Sequence, residues 1–128
     1  MTQAFIPLHI LAVAAGAALG ALARWMMAVW LNGPAWPWGT LAGNAVGGYL
    51  AGVALAVLAM HPEWPQWIRL AAVTGFLGGL TTFSTFSAEA IAMLQRGALG
   101  SALGYVAASL AGSLALTALG VASVHALR

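Results

Sequence analysis

Cysteine and lysine are absent from this 128-residue chain, and its only acids are Glu63 and Glu89. Without cysteine there is no disulfide and no thiolate metal ligand, and nothing that fixes the redox compartment. The four arginines, at positions 24, 69, 96 and 128, are scattered. A nucleic-acid site needs a basic patch or stripe, so the net charge of +2 carries no such message. No nucleophile–His–acid arrangement, phosphate-binding glycine loop or Cys/His cluster occurs, so nothing points to an enzyme. His9, His61 and His125 stand singly near the ends of apolar segments, without metal-ligand spacing, and read as interfacial side chains. The opening MTQAFIPLHI lacks the basic region of a secretory signal. Ala12-Val13-Ala14 has the form of a cleavage site, but the first apolar segment is expected to be retained.

What fills the chain instead is apolar: 62% of residues are hydrophobic, 5% are charged, and the mean hydropathy is +0.96. Uncharged runs extend from Trp25 to Pro62 and from Gly97 to Leu127. Crossing a hydrocarbon core takes about 20 apolar residues per helix. Hydropathy and turn signals together predict an all-α membrane protein in a single domain over 1–128, with helices at about 8–31, 39–59, 67–95 and 98–124. The connections are LNGPAWPW, MHPEWPQW and the tight turn QRGALG. Tryptophans flank the first two connections, where amphipathic rings favour the headgroup level of a lipid bilayer. With four spans both termini share a side, which places Arg69 and Arg128 there and Arg24 and Arg96 opposite. Two against two leaves both insertions open, and two oppositely inserted copies would make an antiparallel dimer. Glycines recur at spacing four, as Gly16/Gly20, Gly39/Gly43/Gly47, Gly48/Gly52, Gly75/Gly79 and Gly100/Gly104. Close helix contact is expected along them, because lipid supplies little hydrophobic drive and packing has to.

The third predicted span is different in kind. Its centre, GFLGGLTTFSTF at 75–86, combines three glycines, hydroxyl side chains and three phenylalanines. Gly75, Gly78 and Gly79 each cost about 1 kcal/mol relative to alanine inside a helix. They make a local break plausible, the alternative being an unbroken helix whose glycines serve packing. A break at membrane depth is tolerated where the freed backbone is buried in protein or lines a wet cavity. Carbonyls freed between Gly78 and Thr81 are then candidate cation ligands. Thr81, Thr82, Ser84, Thr85 and Ser87 add hydroxyls beside it. A further polar series runs along the fourth span as Ser101, Tyr105, Ser109, Ser113 and Thr117. Spacing of four advances about 40° per step, so about three of these five can serve one path. Asn44 is the carboxamide inside a span, and its two N–H donors need partners where bulk water is absent. Neutral donors, with the ring edges of Phe83 and Phe86, suit a small anion better than a cation.

GFLGGLTTFSTF, preceded by GTLAGN at 39–44 and GAALGALARW at 16–25, resembles the Fluc (CrcB) fluoride channels of bacteria in motif order, length and four-helix layout. The resemblance implies a dual-topology homodimer in the inner membrane, with two antiparallel pores that export fluoride passively and give fluoride resistance. It implies a sodium ion on the twofold axis, held by the backbone carbonyls of Gly78 and Thr81 from each subunit. Phe83 and Phe86 would face fluoride together with Asn44. Ser84, Thr85, Ser109, Ser113 and Thr117 would form the polar track, with Tyr105 and Glu89 toward the pore ends. Arg24 would contribute structure and vestibule potential.

Two charges invite a reading of their own. Arg24 sits one turn beyond Gly20 and is placed to snorkel to headgroups or to attract anions at the pore mouth. Glu89, an acid within a span, is expected either to pair with a cation such as Arg96 or to face the vestibule. A small proton-coupled multidrug antiporter of similar length would need an embedded acid, typically in its first helix, where this chain has Arg24 instead. A non-transporting membrane scaffold would use the polar cluster to hold a partner helix and would carry no ion flux.

Overall fold

A computed structural model describes residues 5–128. Four helices long and apolar enough to cross a membrane follow one another: α1 (Pro7–Leu31), α2 (Trp38–Met60), α3 (Gln66–Gln95) and α4 (Leu99–Leu127). No strand longer than a single bridge occurs among the described residues. This is a multi-pass membrane protein. The predicted spans match, and the largest difference is at the C-terminal end of α4, where an apolar run without a breaker lets the helix continue to Leu127.

Each helix end has a local cause. Pro7 opens α1 at a position where its missing N–H costs nothing. Asn32, just past α1, reaches across the loop, and its Oδ1 accepts from the N–H groups of Gly39 (2.6 Å) and Thr40 (3.3 Å), capping α2. Gly33 N–H donates to the Trp36 carbonyl at 3.0 Å, which closes the intervening loop. Gly97 ends α3 in the left-handed region at φ 76°. Gly97 N–H bonds to Leu94 C=O and Ala98 N–H to Met93 C=O, the paired bonds of a Schellman ending.

Within α3 the path is irregular. An α-helical start at Gln66–Arg69 widens into π-helical turns over Leu70–Leu77 and tightens again at Gly78–Leu80. Thr81 is then extended at φ −94°, ψ 154°, and the helix restarts at Ser84–Gln95. The expected break is therefore real but falls at 81–83, just after the glycines. Gly75 and Gly79 stay helical because they pack: a methyl at Gly79 would run into the backbone of Ala17 and Ala21, and one at Gly75 into Val13 and Gly16.

These close approaches organise the fold as two pairs. α1 lies along the first half of α3, where Gly16 and Gly20 meet the backbone of Ala71, Phe76 and Leu80. α2 lies along α4, where Gly52 meets Thr117 and Gly120 meets Tyr49, again backbone to backbone. The pairs join through Gly47, whose missing side chain makes room for the Thr81 methyl. The second half of α3 packs on α4 through a buried cluster of Phe86, Ala90, Met93, Ala102 and Tyr105. Gly100 and Gly112, by contrast, meet nothing within 4 Å.

Candidate functional site: a groove at the helix break

The break is held open by side chains. In a regular helix Thr82 N–H would donate to the Gly78 carbonyl. Here it donates to Asn44 Oδ1 at 2.9 Å, while Asn44 Nδ2 returns a bond to the Thr82 carbonyl at 3.2 Å. Asn44 thus imitates a neighbouring strand for one peptide unit. Thr85 N–H, the regular donor to Thr81 C=O, goes instead to Thr82 Oγ1 at 3.1 Å. The Gly78 and Thr81 carbonyls consequently lose their helical donors. Arg24 Nε donates to the Gly79 carbonyl at 3.0 Å, so the arginine is turned inward onto backbone and not outward to headgroups.

Beside the break lies a groove of about 370 Å³. Asn44, Gly47, Gly48 and Ala51 of α2, Leu77, Thr81, Thr82, Phe83 and Phe86 of α3, and Ser109, Leu110, Ser113 and Leu114 of α4 line it, with mostly apolar surface and no ionised side chain. Phe83 and Phe86 meet edge to face at 5.6 Å and 62°. Phe86 is buried, whereas Phe83 is 75% exposed. Ser109 is buried in the groove wall, and its hydroxyl has no hydrogen-bond partner among the described residues. Of the two N–H groups of Asn44, one is committed to Thr82 and one remains.

The other residues singled out in the sequence lie around this groove. Thr117 Oγ1 sits on the α2–α4 seam, 2.9 Å from both the Gly48 and Ser113 carbonyls. Ser84 is exposed and Thr85 half-buried, both outside the groove lining. Tyr105 is fully buried, its ring 5.2 Å from that of Phe86 and 5.7 Å from that of Trp36. Its hydroxyl donates to Glu89 Oε1 at 2.9 Å, and Thr40 Oγ1 donates to Glu89 Oε2 at 3.0 Å. Glu89 also lines a second cavity of about 160 Å³, formed with Arg96, Trp36 and the 32–37 loop. Both carboxylate oxygens are thus satisfied by hydroxyls, and on the α2–α3 loop His61 Nδ1 lies 3.1 Å from Glu63 Oε2. The Glu63 carboxyl is held below its usual range by a backbone N–H and by His61.

Thr40 and Trp36 are the members of this second site that sequence reasoning passes over. A lone hydroxyl in a span ordinarily back-bonds to its own helix. The available signal was spacing, since Thr40 lies one turn before Asn44 on the same face of α2.

The sequence has close relatives. The family description "CrcB-like protein, Camphor Resistance (CrcB)" matches residues 11–121. A protein of Bordetella petrii named fluoride-specific ion channel FluC is 75% identical over 128 residues, 100% of both chains. A protein of Bordetella bronchiseptica with the same name is 64% identical over 96% of each chain. A third so named, from Chromohalobacter salexigens, is 53% identical over 94% of this chain and 93% of its own. A break clamped by an asparagine, a paired-phenylalanine groove and end-to-end similarity to such proteins have one reading: the chain belongs to the CrcB family.

Proposed function

We propose that this protein is a fluoride-selective channel of the bacterial cytoplasmic membrane, through which cytoplasmic fluoride leaves passively and so confers resistance. The relatives' name supplies the anion. The observation in this chain that carries the reading is the buried Ser109 hydroxyl without a partner, facing a groove that also holds a spare Asn44 N–H and two phenylalanine rings. A buried unpaired donor costs about 1–3 kcal/mol, so it calls for an acceptor that arrives from outside the chain. A small anion is such an acceptor. Neutral donors and positive ring edges replace its water without the trap that a fixed opposite charge would set, and binding stays weak enough for exit.

The pore is completed by a second copy. Phe83, exposed and beside the groove, is the edge that an inverted protomer covers. The near-balance of arginines favours insertion in both orientations, and two antiparallel protomers yield two antiparallel pores. The Gly78 and Thr81 carbonyls suit a sodium ion, a hard cation that takes oxygen ligands. Both have lost their helical donors, and each copy contributes the pair. When bound, sodium supplies the positive charge that offsets converging carbonyl dipoles.

The test is flux. Purified protein is reconstituted in liposomes loaded with potassium fluoride, and fluoride release is followed after valinomycin, with chloride as the control. Rapid release of fluoride alone is expected. No release from well-folded protein would favour a scaffold and sink the proposal.

A further inference from the structure

Among the helical rungs missing at the break are those from Thr82 to Gly78, from Phe83 to Gly79 and from Thr85 to Thr81, and a side chain stands in at each of these. Asn44 and Thr82 serve two of them and are neutral. The third is the Gly79 carbonyl, which Arg24 occupies from another helix, 55 positions away in the chain. Arg24 is held there by rigid backbone. It lies one turn past Gly20, on the seam where α1 and α3 touch with no room for a methyl, so its Cα cannot draw back without unpacking both helices. Its charge also sits at the C-terminal end of the first half of α3, the negative pole of that segment.

We infer that Arg24 is a positioning residue that keeps α3 broken. By occupying the Gly79 carbonyl it denies Phe83 N–H its helical acceptor, and by its charge it compensates the carbonyl end of the half-helix, leaving Gly78 and Thr81 open. The inference rests on the sodium reading above for one of its two measurements. Repulsion between the guanidinium and a nearby cation works in the opposite direction. Preformation wins, because the broken backbone is the precondition for any carbonyl to reach an ion.

Arg24→Met removes the donor and the charge at similar length, and Arg24→Lys keeps both in another shape. The dimer's thermal stability is followed over a sodium titration in which N-methylglucamine replaces sodium. Half-saturating sodium should rise about tenfold or more in Arg24→Met, the weight of one charge-assisted hydrogen bond, and stay within about threefold of wild type in Arg24→Lys. Amide hydrogen exchange at Phe83 is the second measurement: it should slow in Arg24→Met as the 83-to-79 rung closes, and remain fast in Arg24→Lys. The inference is overturned by a sodium midpoint unchanged or lowered in Arg24→Met, by Arg24→Lys behaving like Arg24→Met, or by Arg24→Met failing to assemble at saturating sodium. A wild-type dimer indifferent to sodium removes the sodium reading alone. The exchange measurement then decides, and an unchanged Phe83 rate removes the clamp.

Discussion

Asn44 spends both ends of its carboxamide on one peptide unit of α3, and that sets what its replacement should do. Asn44→Asp keeps an acceptor for Thr82 N–H but offers no donor to Thr82 C=O and places a negative charge beside the groove. Fluoride efflux should fall to background while the dimer still elutes as a dimer. Phe83→Ile removes a ring edge without touching the clamp and should also abolish efflux from an assembled dimer. Unimpaired flux in both would take these residues off the path. Tyr105→Phe tests the second cavity: Glu89 Oε1, itself half-buried, loses its hydroxyl donor, and thermal unfolding should report a loss of about 1–3 kcal/mol. Asn44 and Ser109 were legible by residue type, since an amide or hydroxyl inside an uncharged run must find something to bond, and Phe83 and Phe86 by their place beside the hydroxyls of the 75–86 stretch. Arg24 was legible as important but not in its role. Distance from a helix end suggests an outward reach, and only the packed seam shows the inward one.

At the scale of the element, the break in α3 could be anticipated from its glycines, though not the place where the chain opens. That place is decided by Asn44 on another helix and by Thr82 within the break, which no propensity contains. The π-helical turns at Leu70–Leu77 had no sequence signature either. They occur where α3 backbone lies against Gly16 and Gly20, so they belong to the packing of two helices. Spacing-four glycines gave the seams correctly on α1, α2 and the first half of α3. On α4 they misled: Gly100 meets nothing, while Gly120, outside any such pair, is buried against Tyr49 backbone. Gly120→Ala should therefore force α2 and α4 apart and cost about 1–3 kcal/mol. Gly100→Ala, in open space, should be neutral or gain up to about 1 kcal/mol from helix propensity. Equal melting temperatures for the two variants would mean that the α2–α4 seam is looser than its geometry.

For the whole molecule, four spans were legible because charge is so sparse, whereas the proposed pairing of two chains can leave a trace only in what one chain exposes, such as Phe83 beside the groove. Orientation can be argued further. With Arg24 bound to Gly79 inside the bundle, it leaves the tally of loop charges, so Arg69 and Arg128 on one side face Arg96 on the other, two against one. A bias of one arginine is weak, and both insertions are expected. Because the chain has no cysteine, a single cysteine introduced next to Arg128 reports its side without background. In wild-type cells it should react with an impermeant maleimide from outside in one fraction and only after permeabilisation in the other. Ala126→Arg with Leu127→Arg raises the tally to four against one, should gather the reporter on one side, and should abolish efflux because no inverted partner remains. Gln95→Arg with Leu99→Arg gives two against three and the opposite leaning. Co-expression of the two double variants should restore efflux through mixed dimers. A wild-type channel that conducts fluoride with its reporter wholly on one side would rule out the antiparallel pair.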